Sequence, residues 1–131
     1  MDMKTILVID DNPLMRMSIR YDLERSGYSV LEAGNGRQAL GLFRISPVDI
    51  AVVDIFMPEM DGIETILEIK KIAPGCGIIA ISKGSEGMGV NMLYHAETLG
   101  AQQVLAKPFG SEQLLSAVRF VEDICQNRIA L

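Results

Sequence analysis

Five side chains, widely separated in the chain, carry groups that could do chemistry together. Asp10 and Asp11 follow the apolar run Ile6 to Ile9, Asp54 follows Ile50 to Val53, Ser82 follows Ile78 to Ile81, and Lys107 follows Val104 to Ala106. Three carboxylates brought close repel one another unless a cation sits among them. An all-oxygen ligand set with room for water suits Mg²⁺ rather than zinc. A carboxylate can also act as a nucleophile and become an aspartyl phosphate. The new phosphoryl oxygens then need positive charge and hydrogen-bond donors, which a divalent ion, the Lys107 ammonium and the Ser82 hydroxyl can supply. Gathered in one cleft, these groups would make a phosphorylatable, magnesium-binding aspartate.

For the groups to meet, chain segments 44, 28 and 25 residues apart must end at one edge. The hydrophobic pattern provides for this. Thr5–Ile9, Ser29–Ala33, Ile50–Val53, Ile78–Ile81 and Val104–Ala106 are short, apolar and largely β-branched, as strands buried on both faces should be. Helical patterns separate them. Asn12-Pro13 supplies a cap and a first-turn proline, Met15, Ile19 and Leu23 share one face, and Gly27 ends that helix. Gly34-Asn35-Gly36 reads as a turn before a helix marked by Ala39, Leu40 and Phe43. A third helix spans 63–72. Lys83 to Gly89 reads as a loop, and Met92, Ala96 and Leu99 mark a fourth helix. Ser111 caps a last one, with Leu114, Val118, Val121 and Cys125 on its inner face. Five such βα units predict a doubly wound α/β fold, a parallel sheet covered on both sides. In an open parallel sheet, ligands bind beyond the carboxyl ends of the strands, where strand order reverses. All five candidate groups stand at such ends.

The chain has 131 residues, 49% of them hydrophobic and 22% charged, with a net charge of -5. This predicts one domain over 1–131 with its core at about 4–127, and excludes wholesale disorder. No apolar run reaches the ~20 residues of a membrane span, and the start of the chain is not a secretory signal. The acidic balance argues against direct nucleic-acid binding. Cys76 and Cys125 are too few for a disulfide framework and are expected to be reduced packing residues of a cytoplasmic protein.

With Asp10-Asp11, Asp54 followed by Met57-Pro58 and Asp61-Gly62, Ser82, and Lys107-Pro108-Phe109 in this order, the chain resembles a response-regulator receiver domain of two-component signalling over nearly its whole length. The resemblance implies a flavodoxin-like sheet in the order 2-1-3-4-5. It implies that Asp54 is the phosphoacceptor, taking its phosphoryl group from a sensor histidine kinase or a histidine phosphotransfer protein, and that the only reactions are acceptance and self-dephosphorylation. Asp11, Asp54 and the Phe56 backbone carbonyl would hold Mg²⁺ or Mn²⁺, Asp10 would assist through water, and Ser82 and Lys107 would contact the phosphoryl group. A cis Lys107-Pro108 bond is also implied. The phosphorylated face would bind an output protein or domain, and the family's habit of pairing leaves a homodimer open.

Each residue has a plainer reading. Aspartates favour helix starts, but Asn12 already fills the cap, which leaves Asp10 and Asp11 without a structural task. Asp54, Ser82 or Lys107 alone would be an ordinary strand-end residue; only their joint order argues otherwise. Asp61-Gly62 reads as turn and helix-entry chemistry, His95 as a solvated helix residue, and the methionines as core filler. A rival reading, an aspartyl-nucleophile phosphatase, expects a second Asp two positions after the nucleophile, where Phe56 stands. Two positions depart from the receiver pattern in its switch region. Val104 replaces the aromatic residue common three positions before the lysine, and Lys83 replaces the small residue after the hydroxyl. The stretch from Ser82 to Lys107 is also longer than usual through a glycine-rich loop, which is expected to rearrange or to dock a partner.

Overall fold

The computed structural model describes residues 3–57, 62–83, 97–98 and 100–130. Five strands, β1 (Thr5–Ile9), β2 (Ser29–Ala33), β3 (Ile50–Asp54), β4 (Gly77–Lys83) and β5 (Gln103–Lys107), form one sheet in the order β2-β1-β3-β4-β5. All four pairings are parallel. The helices α1 (Pro13–Arg25), α2 (Gly36–Ile45), α3 (Gly62–Ile72) and α4 (Ser111–Ala130) cover its two faces. This is the flavodoxin-like arrangement expected.

Side chains alternate across each strand, so one sheet feeds two cores. Leu7, Ile9, Ala51, Val53, Ile78 and Ala80 pack with Ala39 of α2 and Ile66 and Ile69 of α3. Ile6, Val8, Val52, Ile79 and Ile81 pack with Ile19 and Leu23 of α1 and with Leu114, Val118 and Val121 of α4. Most of these side chains are fully buried, and each aliphatic one contributes roughly 1.5–3 kcal/mol. Both strands that carry the outer acids, β1 and β3, therefore end at fixed depths.

Element boundaries differ from the sequence reading at several points: β3 runs on to Asp54, β5 spans Gln103–Lys107 and α3 starts at Gly62. Gly36 is not turn but the first residue of α2, because the Asn35 side chain caps the helix by accepting the Gln38 N–H at 2.9 Å. Ser111 does not cap α4 but lies inside it. Gly110 takes the cap position: its C=O accepts from Leu114 N–H, and its own N–H donates to the Gln113 side chain at 2.8 Å. β4 extends to Gly77 and Lys83, since its pairing with β3 and β5 continues past the apolar run. The expected glycine-rich loop beyond Lys83 and most of the helix through Met92, Ala96 and Leu99 lie outside the described residues, as do Pro58, Asp61, Met88 and His95. Cys76 is buried, Cys125 is partly buried, and both are free thiols. Among the described residues, no helix is long and apolar enough to cross a membrane.

Candidate functional site

The site begins where β1 stops pairing as a strand. The Asp10 N–H still reaches the Ala33 carbonyl of β2, at 3.1 Å, but its own carbonyl accepts from Arg16 Nη1 at 2.7 Å. The Asp10 side chain is fully buried. Its Oδ1 accepts the Asn12 N–H at 2.9 Å and its Oδ2 accepts from Lys107 Nζ at 3.1 Å. Asn12 then caps α1, its Oδ1 accepting the Leu14 and Met15 N–H groups, with Pro13 as first helical residue. Asp11, between them, faces solvent.

Asp54 ends β3 two strands from the sheet's β2 edge. It is 5% exposed, and its Oδ1 accepts the Phe56 N–H at 3.0 Å. The Phe56 ring itself is exposed. Lys107, ending β5, reaches Asp54 Oδ2 at 3.5 Å as well as Asp10, and its peptide bond to Pro108 is cis. One carboxylate oxygen from each of Asp10, Asp11 and Asp54 lies within 4.8 Å of the others. Burial pushes the Asp54 carboxyl up to about 6. The Phe56 N–H and the Lys107 ammonium pull the other way, and the charges of Asp10 and Asp11 add to the rise. Among the described side chains, Lys107 alone is ion-paired with these acids, which leaves negative charge in the cleft incompletely balanced. With oxygen-only donors, this is an environment that a divalent cation fits.

Ser82 is fully buried on β4, one position beyond the residue that pairs with Asp54, and its hydroxyl has no hydrogen-bond partner among the described residues. Buried hydroxyls are normally satisfied; an orphan at the carboxyl end of the strand next to β3 is a donor in waiting. Lys83 pairs in register with Lys107 along the main chain. Val104 lies in β5 and packs, partly buried, against the core on the α2–α3 side.

Two residues that position the site were not given that task in the sequence reading. Gly62 was treated as helix entry only. A Cβ there would lie 2.3 Å from the Asp54 carbonyl oxygen and 2.3 Å from Ile55 Cα, so α3 can approach the end of β3 only without a side chain at this point. A glycine opening the helix that follows the acid-ended strand is the one signal that hinted at it. Arg16 is the other. Its position four residues after the cap places it over the β1–α1 turn, but nothing in the residue pattern names a backbone carbonyl as its target.

Residues 6–119 match the family model described as the response regulator receiver domain. The chemotaxis protein CheY of Thermotoga maritima is 38% identical over 120 residues, covering 90% of this chain and 97% of that protein. The chemotaxis protein CheY of Bacillus subtilis is 38% identical over 114 residues, 86% of this chain and 92% of that protein. Among solved structures, a receiver domain protein from Clostridium thermocellum superposes with a TM-score of 0.85 at 27% identity, over 98% of this chain and 100% of that one. A CheY-like receiver domain protein from Methanospirillum hungatei gives 0.86 at 25% identity, over 97% and 99%.

Proposed function

The chain belongs to the response-regulator receiver family of two-component signalling, and on that premise we propose that Asp54 accepts a phosphoryl group from a phosphohistidine on a sensor kinase or histidine phosphotransfer protein. One observation carries the reading: three carboxylate oxygens within 4.8 Å of one another, with Lys107 hydrogen-bonded to two of the three residues. Asp11, Asp54 and the Phe56 carbonyl would hold Mg²⁺ or Mn²⁺, with Asp10 assisting through water. When bound, the ion neutralises charge on the acids and on the transferring phosphoryl oxygens.

In the transfer itself an Asp54 carboxylate oxygen bonds to phosphorus as the donor's P–N bond breaks, and the electron pair leaves with the imidazole nitrogen, which takes up a proton. Lys107 turns from Asp54 to the new phosphoryl oxygens while Asp10 keeps its hold on the ammonium, and Ser82 gains a partner. The chemistry of the chain is acceptance of the group and its own later hydrolysis. A stripe of Leu14, Met17 and Tyr21, each more than half exposed on the outer face of α1, starts beside the cleft and suits docking by the phosphohistidine donor. The phosphorylated protein, cytoplasmic in this reading, then presents a changed face to an output partner. With Val104 in place of an aromatic switch residue, that change runs through the ends of β4 and β5 rather than through a ring rotation.

The test is intact-mass analysis after incubation with acetyl phosphate and Mg²⁺. Wild type should gain one phosphoryl group, and Asp54→Asn or omission of Mg²⁺ should abolish the gain. An adduct that persists in Asp54→Asn, or none on wild type, would sink the proposal.

A further inference from the structure

Asp10 is the hub of the cleft, and all of its polar groups are held: the N–H by β2, one carboxylate oxygen by Asn12, the other by Lys107. Its carbonyl is the exception to local supply. β2 ends at Ala33, and among the described residues no backbone N–H reaches the Asp10 carbonyl. Arg16 fills the gap from α1 at 2.7 Å. Its guanidinium is anchored on the far side by Glu32 of β2, whose Oε1 accepts from Arg16 Nε at 3.0 Å. Glu32 is anchored in turn by Arg20, at 2.8 Å, one turn further along α1.

We propose that Arg16 is a positioning residue for divalent-cation binding: clamped between the Asp10 carbonyl and Glu32, it fixes the turn that aims Asp10 and Asp11 at Asp54. The inference rests on the metal-assisted reading above. Arg16 touches none of the carboxylates of the cleft, and no hydrogen bond joins it to Asp11 or Asp54. It acts on the backbone between the two adjacent acids. A planar fork with two donors in fixed relation suits this task, and a lysine ammonium, a point donor, does not reproduce it.

Charge and geometry make opposite predictions here. If Arg16 acted only as a nearby cation, removing it would make the cleft more negative and tighten Mg²⁺. If it positions the acids, removal loosens Mg²⁺, and outer-shell partners of metal ligands typically cost 10–100-fold in affinity. The experiment is calorimetric titration of Mg²⁺ into the metal-free full chain, with circular dichroism confirming that each variant is folded at the titration temperature. Arg16→Ala should bind Mg²⁺ about tenfold more weakly than wild type. Arg16→Lys, with the charge kept and the fork lost, should fall between the two. Glu32→Gln, which weakens the anchor, should lose affinity in the same direction, and Arg16→Lys, which keeps the charge, carries the test if Arg16→Ala does not fold. Phosphorylation of Arg16→Ala by acetyl phosphate should recover toward the wild-type rate at saturating Mg²⁺, placing the defect in cation binding rather than in the transfer. Unchanged or tighter Mg²⁺ binding by Arg16→Ala would overturn the proposal, as would a rate defect that saturating Mg²⁺ leaves in place. Wild-type protein that takes up no Mg²⁺ would overturn the metal-assisted reading itself, and this inference with it.

Discussion

At the amino edge of the sheet, Asp49 precedes β3 and exchanges two bonds with Thr5 of β1: its Oδ2 accepts the Thr5 N–H at 2.8 Å and its own N–H donates to the Thr5 carbonyl at 2.9 Å. Its carbonyl accepts the Gly77 N–H from β4, so one aspartate ties three strands together. At the carboxyl edge of the same strand, Asp54 is more deeply buried and shares Lys107 with Asp10, and on the neighbouring strand the Ser82 hydroxyl has no partner among the described residues. The strand thus has one acid that closes a hydrogen-bond circuit and another that leaves one open. The amino edge is arranged for stability alone. The carboxyl edge gives some stability up and is completed only by a cation and a phosphoryl group.

The sharpest way to test the comparison is through the two glycines that let helices reach each edge. Gly62→Ala would drive a methyl into the Asp54 carbonyl and Ile55 Cα, which are backbone atoms and cannot step aside. We expect a loss of about 3 kcal/mol or more in urea unfolding. Gly77→Ala at the amino edge meets Val121 Cγ1 at 2.3 Å and Cys125 Sγ at 3.2 Å, both on side chains of α4 that can shift. The expected loss is about 1–2 kcal/mol. Equal losses would mean that α3 is no more tightly seated on the site than α4 is on the opposite edge.

The pH dependence should separate the edges next. Asp54 has a folded-state value of about 6 against an ordinary 3.8, so the native state holds this proton more tightly than the unfolded chain does. Without a divalent ion, stability should fall as pH rises from about 4 to about 6 and level off above that, with a span of at most about 3 kcal/mol. Asp54→Asn should remove that fall, and Mg²⁺ at neutral pH should restore stability to wild type by binding only the folded state. At the amino edge Tyr28, beside the start of β2, is pushed up to about 12 by burial and then by its hydrogen bond to Glu122 of α4. Its contribution is full below about 10 and lost as pH rises from about 10 to about 12. Chemical unfolding across both windows would read the two edges separately.

How much of this could be read from residues alone divides along the same line. The apolar runs and the five groups of the cleft were legible, because four of the five strands are apolar runs that end in a group with chemistry; the strand order came from the family resemblance. Asp49 was not: a single acid before a strand looks like any turn residue until Thr5 is seen opposite it, 44 positions away. Arg16 and Gly62 were hidden for a related reason. Both act on main-chain atoms, and neither a carbonyl awaiting a donor nor a backbone awaiting close approach leaves a mark in residue type. The cap at Gly110 was misread as Ser111 because Gln113 reaches back to the glycine N–H, a bond that a serine-first rule does not anticipate.

Asp49→Ala should cost about 1–3 kcal/mol, because the Thr5 N–H is left half-buried without its acceptor. It should leave the phosphoryl adduct intact, since nothing at the carboxyl edge touches Asp49. Loss of the adduct in a folded Asp49→Ala protein would show that the edges are coupled and would break the comparison.

Ser82→Ala should have the smallest effect on stability, and of the opposite sign. The hydroxyl is buried with no partner among the described residues, so the folded state carries its desolvation cost without return. Alanine removes the oxygen and leaves a gap too small to cost much. We expect a gain of up to about 1 kcal/mol in metal-free protein. The same substitution should slow adduct formation with acetyl phosphate, because a donor aimed at the phosphoryl oxygens is gone. A stabilised but slower variant is the outcome that a hydroxyl kept for a ligand requires. A destabilised variant with unchanged adduct formation would make Ser82 a structural hydroxyl like any other, and would leave the openness of the carboxyl edge to the carboxylates alone.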